Sequence, residues 1–196
     1  MSTPSEHLLE VVAELLVDAG YDGVSVRKVA TRAGVSIGAV QHHFPTKDAM
    51  LAAAMERAAR DFQRRLEARI PADATAEVAL RAVVDELLGL GPERRSASVL
   101  WTLRLARAAV DQATATTHAR EWQEVEDLLA GLLWGSRPAR GEAWARREAA
   151  VLLALLDGLA TAALVEPVRM PGQRAEGILN DQLDRVLGAD PDASTR

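Results

Sequence analysis

Between Ser25 and Lys47 the chain reads SVRKVATRAGVSIGAVQHHFPTK, a segment dense in groups suited to the edges and backbone of a nucleic-acid duplex. Arg27, Lys28, Arg32 and Lys47 bring positive charge for phosphates. Gln41 carries the amide that bonds adenine bidentately, and His42 and His43 add ring nitrogens. Gly38 and Ala39 are small enough to let a backbone approach a base edge or sugar. Reactive chemistry has no comparable set. The chain has no cysteine and no GxSxG, P-loop or paired metal-ligand spacing. His42 and His43 are adjacent and so leave a helix on different sides, whereas helical metal ligands sit three or four apart. No catalytic residue, metal or cofactor is therefore expected, and the protein is not expected to be an enzyme.

These residues need elements to hold them, and the local signals supply two short helices. Ser25 is an N-cap, after which Val26, Val29, Ala30 and Ala33 recur at helical spacing, with Arg27, Lys28, Thr31 and Arg32 on the outer side. Gly34 can take the left-handed conformation that ends a helix, Val35 supplies an apolar plug, and Ser36 caps a second helix from Ile37. Val40 and Phe44 face inward, which turns Ile37, Gly38, Gln41 and His42 outward. Pro45 stops this helix, and Thr46 caps the next one at Lys47 and Asp48. The result is a helix-turn-helix, which places its second helix in the DNA major groove.

The remainder also reads as helix. Thr3, Pro4 and Glu6 form a capping-box start, and Leu8, Val12, Leu15, Leu16 and Ala19 make one stripe ending at Gly20. From Thr46 to about Ile70 nothing interrupts a rod of about 36 Å. Further helices are predicted over about 74–88, 94–114, 117–134, 142–166 and 173–187, divided by glycine and proline. No strand alternation, repeat or low-complexity tract is visible. The predicted fold is all-α: a three-helix DNA-binding unit over 1–50, in which the connecting helix 46–70 begins, a larger helical regulatory and dimerisation domain over 51–188, and a disordered tail over 189–196.

Bulk properties bound this reading. With 48% hydrophobic residues in 196, the chain can bury a core. Absence of cysteine fits a reducing cytoplasm, and Glu6, Glu10 and Glu14 interrupt any signal-peptide pattern. The stretch 149–165 is 17 residues long with Asp157 at its middle, too short and too costly for a membrane span, and it reads as a buried helix. A formal net charge of −5 opposes a nucleic-acid partner. Phosphates, however, feel charges within about 8–10 Å, so the local cluster of Arg27, Lys28, Arg32 and Lys47 outweighs the distant sum.

Two features of the C-terminal part keep two readings each. Leu152, Leu155, Leu156, Leu159 and Ala163 on one helix, with Leu179, Leu183 and Val186 on the next, form wide apolar faces that suit an ordinary intrachain core or a dimer interface. Trp101, Trp122, Phe62 and Met55 suit either core packing or the wall of a ligand pocket, with Arg104 close enough in sequence to meet an anion there. Asp157, in an apolar helix, needs a hydrogen-bonding partner across the bundle, such as an arginine, or a ligand.

The helix ending at Gly20, the Ser25–Arg32 helix, AGVS at 33–36, GAVQHHF at 38–44 and TKDAML at 46–51 together resemble the tetracycline-repressor (TetR) family of bacterial regulators over about residues 7–55. In that family the residue two before the HF pair is usually tyrosine, and here it is Gln41. The resemblance implies that Arg27, Ile37, Gly38, Ala39, Gln41, His42 and His43 contact bases or sugars, and that Ser25, Ser36 and Lys47 hold phosphates. It also implies a homodimer paired through its last two long helices on palindromic operator DNA, with half-sites about 34 Å apart. LLDGLATAALVEP at 155–167 is similar to a betaine-regulator-like subgroup. The implied function is a DNA-binding repressor released by a small molecule, with no membrane partner. The alternatives are a non-inducible activator or architectural protein with a filled C-terminal core, and a helical enzyme or binding module retaining a relict helix-turn-helix.

Overall fold

A computed structural model describes residues 4–188. Its helices are α1 (Pro4–Gly23), α2 (Val26–Ala33), α3 (Ile37–His43), α4 (Lys47–Arg69), α5 (Ala76–Leu88), α6 (Arg95–Ala108), α7 (Gln112–Ser136), α8 (Glu142–Val165) and α9 (Gly172–Leu187). Short 3-10 turns at Pro92–Arg94 and Pro138–Arg140 precede α6 and α8, and no strand occurs among the described residues. Thr3 and the tail 189–196 lie outside the described residues.

Most boundaries follow from caps. The hydroxyls of Ser25, Ser36, Thr46 and Thr75 accept the N–H of the residue three ahead, starting α2, α3, α4 and α5. Gly20 breaks helical geometry at φ 65°, as expected, yet a further turn carries α1 to Gly23. One expectation fails: the predicted 94–114 helix is two. α6 ends at Ala108, and Asp111 Oδ2 accepts both Thr114 N–H (2.8 Å) and Thr114 O–H (2.5 Å), starting α7 five residues before the predicted 117. The Asp-x-x-Thr pattern was a readable cap that unbroken periodicity concealed.

Two hydrophobic clusters organise the molecule. One joins Leu8, Val12, Leu15 and Leu16 of α1 to Val29, Ala30, Val40, Phe44, Met50 and Ala54, and takes Leu100 from α6. The other gathers Leu80, Val84, Leu129, Leu133, Leu152, Leu156, Leu179 and Leu183 from α5, α7, α8 and α9. Each fully buried aliphatic side chain contributes about 1.5–3 kcal/mol. α6 packs on α1, α4, α7 and α8, and so bridges the two clusters.

The second cluster takes up most of the residues read as either core or dimer interface. Leu152, Leu156, Leu159, Leu179, Leu183 and Val186 are all at most 8% exposed within one chain, and Leu155 and Ala163 pack against the same core. The first six are therefore side chains of the intrachain core, while Leu155 and Ala163 stay half-buried. The open side of α8 carries Glu142, Ala143, Arg146 and Arg147 in its first turns and then the smaller Ala150, Val151, Ala154, Gly158 and Val165. α8 is long and apolar enough to cross a membrane, but it lies packed along α7, with Ala145, Ala149 and Leu153 buried.

Candidate nucleic-acid interface

α3 is only seven residues long and depends on its neighbours for stability. Val40 (0% exposed) and Phe44 (7%) anchor it in the N-terminal core beside α2, and Gly34, left-handed at φ 68°, turns the chain between α2 and α3. The opposite side is open: Ile37, Gly38, Gln41, His42 and His43 are exposed, and Ala39 is half-buried. The rings of His42 and His43 meet edge to face at 5.3 Å.

Ser25 Oγ accepts Lys28 N–H at 3.2 Å and Ser36 Oγ accepts Ala39 N–H at 3.1 Å. A capping hydroxyl that accepts still has its own O–H to donate, so both serines keep a proton for a phosphate oxygen. Arg27 and Lys28 are exposed on α2, and Lys47 is half-buried at the start of α4. Arg32 departs from the expected phosphate cluster. Its guanidinium bonds Asp18 at 3.1 Å and Glu14 at 3.5 Å, so its charge is spent docking α2 on α1. From Ser25 to Lys47 there is no carboxylate at all, which keeps the local field positive despite the net charge. Val35 is a second departure: read as a plug, it is 40% exposed, beside Ile37 at 47%.

The expected ligand residues come together only in part. Trp101 of α6 stacks on Trp122 of α7 at 3.8 Å and 14°, and Trp122 Nε1 donates to Asp157 Oδ2 on α8 at 2.9 Å. Asp157 thus finds an indole as its partner, not an arginine. Burial holds its carboxyl above the ordinary range, against the Trp122 hydrogen bond and nearby His118. Arg104 is no exposed charge: it is 14% exposed, donates to Glu121 at 2.5 Å and lies 6.0 Å from the Trp101 ring. Glu121 engages Nη1 alone, and Nη2 of the same guanidinium is buried without a hydrogen-bond partner.

His118 was missed. It sits 5.0 Å from Trp101 and 5.3 Å from Trp122, and burial, then the Arg104 charge, pushes its pKa below the usual histidine value. Its place one helical turn before Trp122 was the available signal. Met55 packs instead with the N-terminal cluster, and Phe62 is half-buried on α4. Two surface clefts lie along α4. One of about 520 Å³ is lined by Glu6, Arg57, Arg60 and Arg64, and one of about 260 Å³ is lined by Leu9, Ala54, Asp61 and Leu100.

An all-helical chain with a helix-turn-helix whose second helix faces outward is a DNA-binding regulator. Residues 8–54 match the tetR family of bacterial regulatory proteins, and residues 76–188 match the C-terminal part of BetI-type transcriptional repressors. The chain belongs to the TetR family of transcriptional regulators. It is 28% identical over 187 residues to the HTH-type transcriptional regulator BetI of Paraburkholderia phytofirmans, covering 93% of this chain and 92% of that one. A transcriptional regulator from Rhodococcus sp. Rha1 superimposes with a TM-score of 0.80 at 34% identity, over 94% of this chain and 96% of the other. A Saccharomonospora viridis protein solved in complex with choline shares the fold, with a TM-score of 0.81 at 21% identity over 92% and 95% of the two chains.

Proposed function

We propose that this regulator is a homodimeric repressor that grips a palindromic operator through two copies of α3 and is released by a small molecule. The observation that carries the reading is the exposure of Gln41 and His42 on a helix anchored by Val40 and Phe44, in a segment free of carboxylates. Residues 1–50 then form the DNA-binding unit and 51–188 the regulatory and dimerisation part, working in the cytoplasm.

Beyond the exposed Arg147, the open part of α8 with Ala150, Ala154 and Gly158 supports pairing, because small residues let two helices approach closely. A Cβ added at Gly158, which is exposed, meets no neighbouring atom within 4 Å in one chain. Gly158→Leu is therefore expected to leave the isolated fold intact and to hinder a second copy. Sedimentation should change from dimer to monomer, with the melting temperature held. A dimeric Gly158→Leu variant removes α8 from the interface.

The effector is assigned to the junction of α6, α7 and α8. Two indole faces and the Asp157 carboxylate suit a small organic cation, and choline in the Saccharomonospora viridis neighbour is of that class. At 3.8 Å the indoles leave no room between them, so a ligand must use an outer face or part them. Parting them moves α6 against α7, and α4 carries the displacement to α3. Only differential affinity for the two states can shift the equilibrium. The closed stack also favours a second reading, a non-inducible regulator with a filled core.

The deciding experiment selects genomic DNA fragments with the full-length protein, then titrates choline and related cations against tryptophan fluorescence and operator affinity. Induction predicts that fluorescence and affinity fall together. Retention of full operator affinity by every cation that quenches tryptophan supports the non-inducible form, and failure to select any sequence ends both.

A further inference from the structure

Val35 and Ile37 flank the capping Ser36 at the start of α3, and they are 40% and 47% exposed. The N-terminal core uses Val26, Val29, Ala30, Ala33, Val40 and Phe44 from this region and leaves these two aside. They are the large apolar side chains left open in the carboxylate-free segment 25–47. The groups around them are polar: Arg27 and Lys28 on α2, and Gln41 one turn beyond Ile37 on the same side of α3.

An apolar pair set among phosphate-binding and base-edge-binding groups needs an apolar counterpart on the duplex. The major groove offers one such feature, the C5-methyl group of thymine, which distinguishes T·A from every other pair by shape and hydrophobicity. Valine and isoleucine are branched at Cβ and hold few rotamers, so they present a methyl-sized contact with little ordering cost. Placement at the first turn also suits them, because the N-terminal residues of a recognition helix come nearest the base edges.

We propose that Val35 and Ile37 read a thymine methyl in each operator half-site, making them specificity-determining residues alongside Gln41. The inference rests on the reading of α3 as the groove-facing helix. It adds the class of base edge that this helix selects: a 5-methylpyrimidine opposite Ile37, which lies one α-helical turn before Gln41.

The test uses duplexes selected from randomised DNA by the full-length protein, with each thymine replaced in turn by uracil. Uracil removes the methyl and keeps the hydrogen-bonding edge. Loss of one buried methyl corresponds to about a fourfold fall in affinity. The expected result is such a fall at one or two positions per half-site for the parent, with the penalty largely absent in Ile37→Ala or Val35→Ala. Both variants change exposed side chains, so circular dichroism and melting should match the parent. Restoring a methyl by 5-methylcytosine in place of cytosine at the same position should recover affinity for the parent only. Uracil tolerated at every position overturns the inference, as does an undiminished uracil penalty in both alanine variants. Failure to select any sequence would instead sink the groove-facing role of α3.

Discussion

Arg107, in the last turn of α6, holds Asp48, in the first turn of α4, through both terminal guanidinium nitrogens at 2.9 and 3.2 Å. Six residues earlier the same helix carries Trp101, stacked on Trp122. One rigid helix therefore runs from the aromatic cluster to the residue that follows Lys47, at the border of the helix-turn-helix.

Because both partners are substantially exposed, the pair is worth only about 0.2–1 kcal/mol to global stability. Its local effect should be larger. Arg107→Ala is expected to lower the melting temperature by no more than about 3 °C while speeding amide exchange over residues 44–50. The reversed pair, Asp48→Arg with Arg107→Asp, should restore protection. Exchange unchanged in the single variant would mean that the contact holds nothing in place.

Glu86 makes a different kind of tie. It is 3% exposed on α5, and three arginines converge on it: Arg65 of α4 at 2.5 Å, Arg94 at 3.2 Å and Arg69 at 3.5 Å. Glu86→Gln leaves those cations without their shared anion. The arginines still reach water, so the expected loss is about 2 kcal/mol, below that of a fully buried pair. A melting temperature lower by roughly 5 °C would bear this out, and an unchanged one would mean that Asp85, which already bonds Arg69 at 2.6 Å, suffices for the cations.

Gly38 separates folding from recognition. A Cβ there would meet only Ser36 Oγ, at 3.8 Å, so Gly38→Ala should fold as well as the parent or be stabilised by about 1 kcal/mol through helix propensity. The added methyl lies on the exposed side of α3 proposed to face DNA, and binding is expected to weaken by tenfold or more. Gln41→Ala should instead cost about 1–3 kcal/mol at particular base pairs, and Lys47→Ala should weaken all sequences alike. Footprints and titrations on single-base operator variants distinguish these patterns.

Acidification should act through the aromatic cluster. His118 has a lowered pKa, so above about pH 6.5 folded and unfolded chains are both neutral there. Below it the unfolded chain takes up the proton first, and stability falls as pH drops towards the lowered folded value. Asp157 has the opposite shift: its burial costs stability once pH passes the ordinary 3.8, and the cost grows until pH has risen through the elevated folded value. Arg104 and Glu121 face the same histidine with opposing charges. His118→Gln should flatten the melting profile below pH 6.5. Asp157→Asn keeps an acceptor for Trp122 and should raise the melting temperature at pH 7, with no gain below pH 4. Parallel profiles in all three proteins would show that neither group titrates differently on folding.

The caps at Ser25, Ser36 and Thr46, the left-handed Gly34 and the inward pair Val40 and Phe44 were legible because each depends on residues within four positions of itself. All-helical class and an outward Gln41 followed from the same short-range signals. What they could not supply was the identity of a facing surface. Arg32 reads identically whether it points at phosphate or at Glu14 and Asp18, since the choice is made by how α1 lies across α2. The leucines of α8 and α9 show the same limit: periodicity marked them as apolar faces, and only the covering by α5 and α7 made them intrachain core. Trp101, Trp122 and Asp157 are separated by 21 and 35 positions, and their contact is likewise a product of packing. Local hydrogen bonding and periodicity thus determined the helices and the outward side of α3, while partners distant in the chain had to be decided by tertiary structure, because burial depends on what arrives from elsewhere.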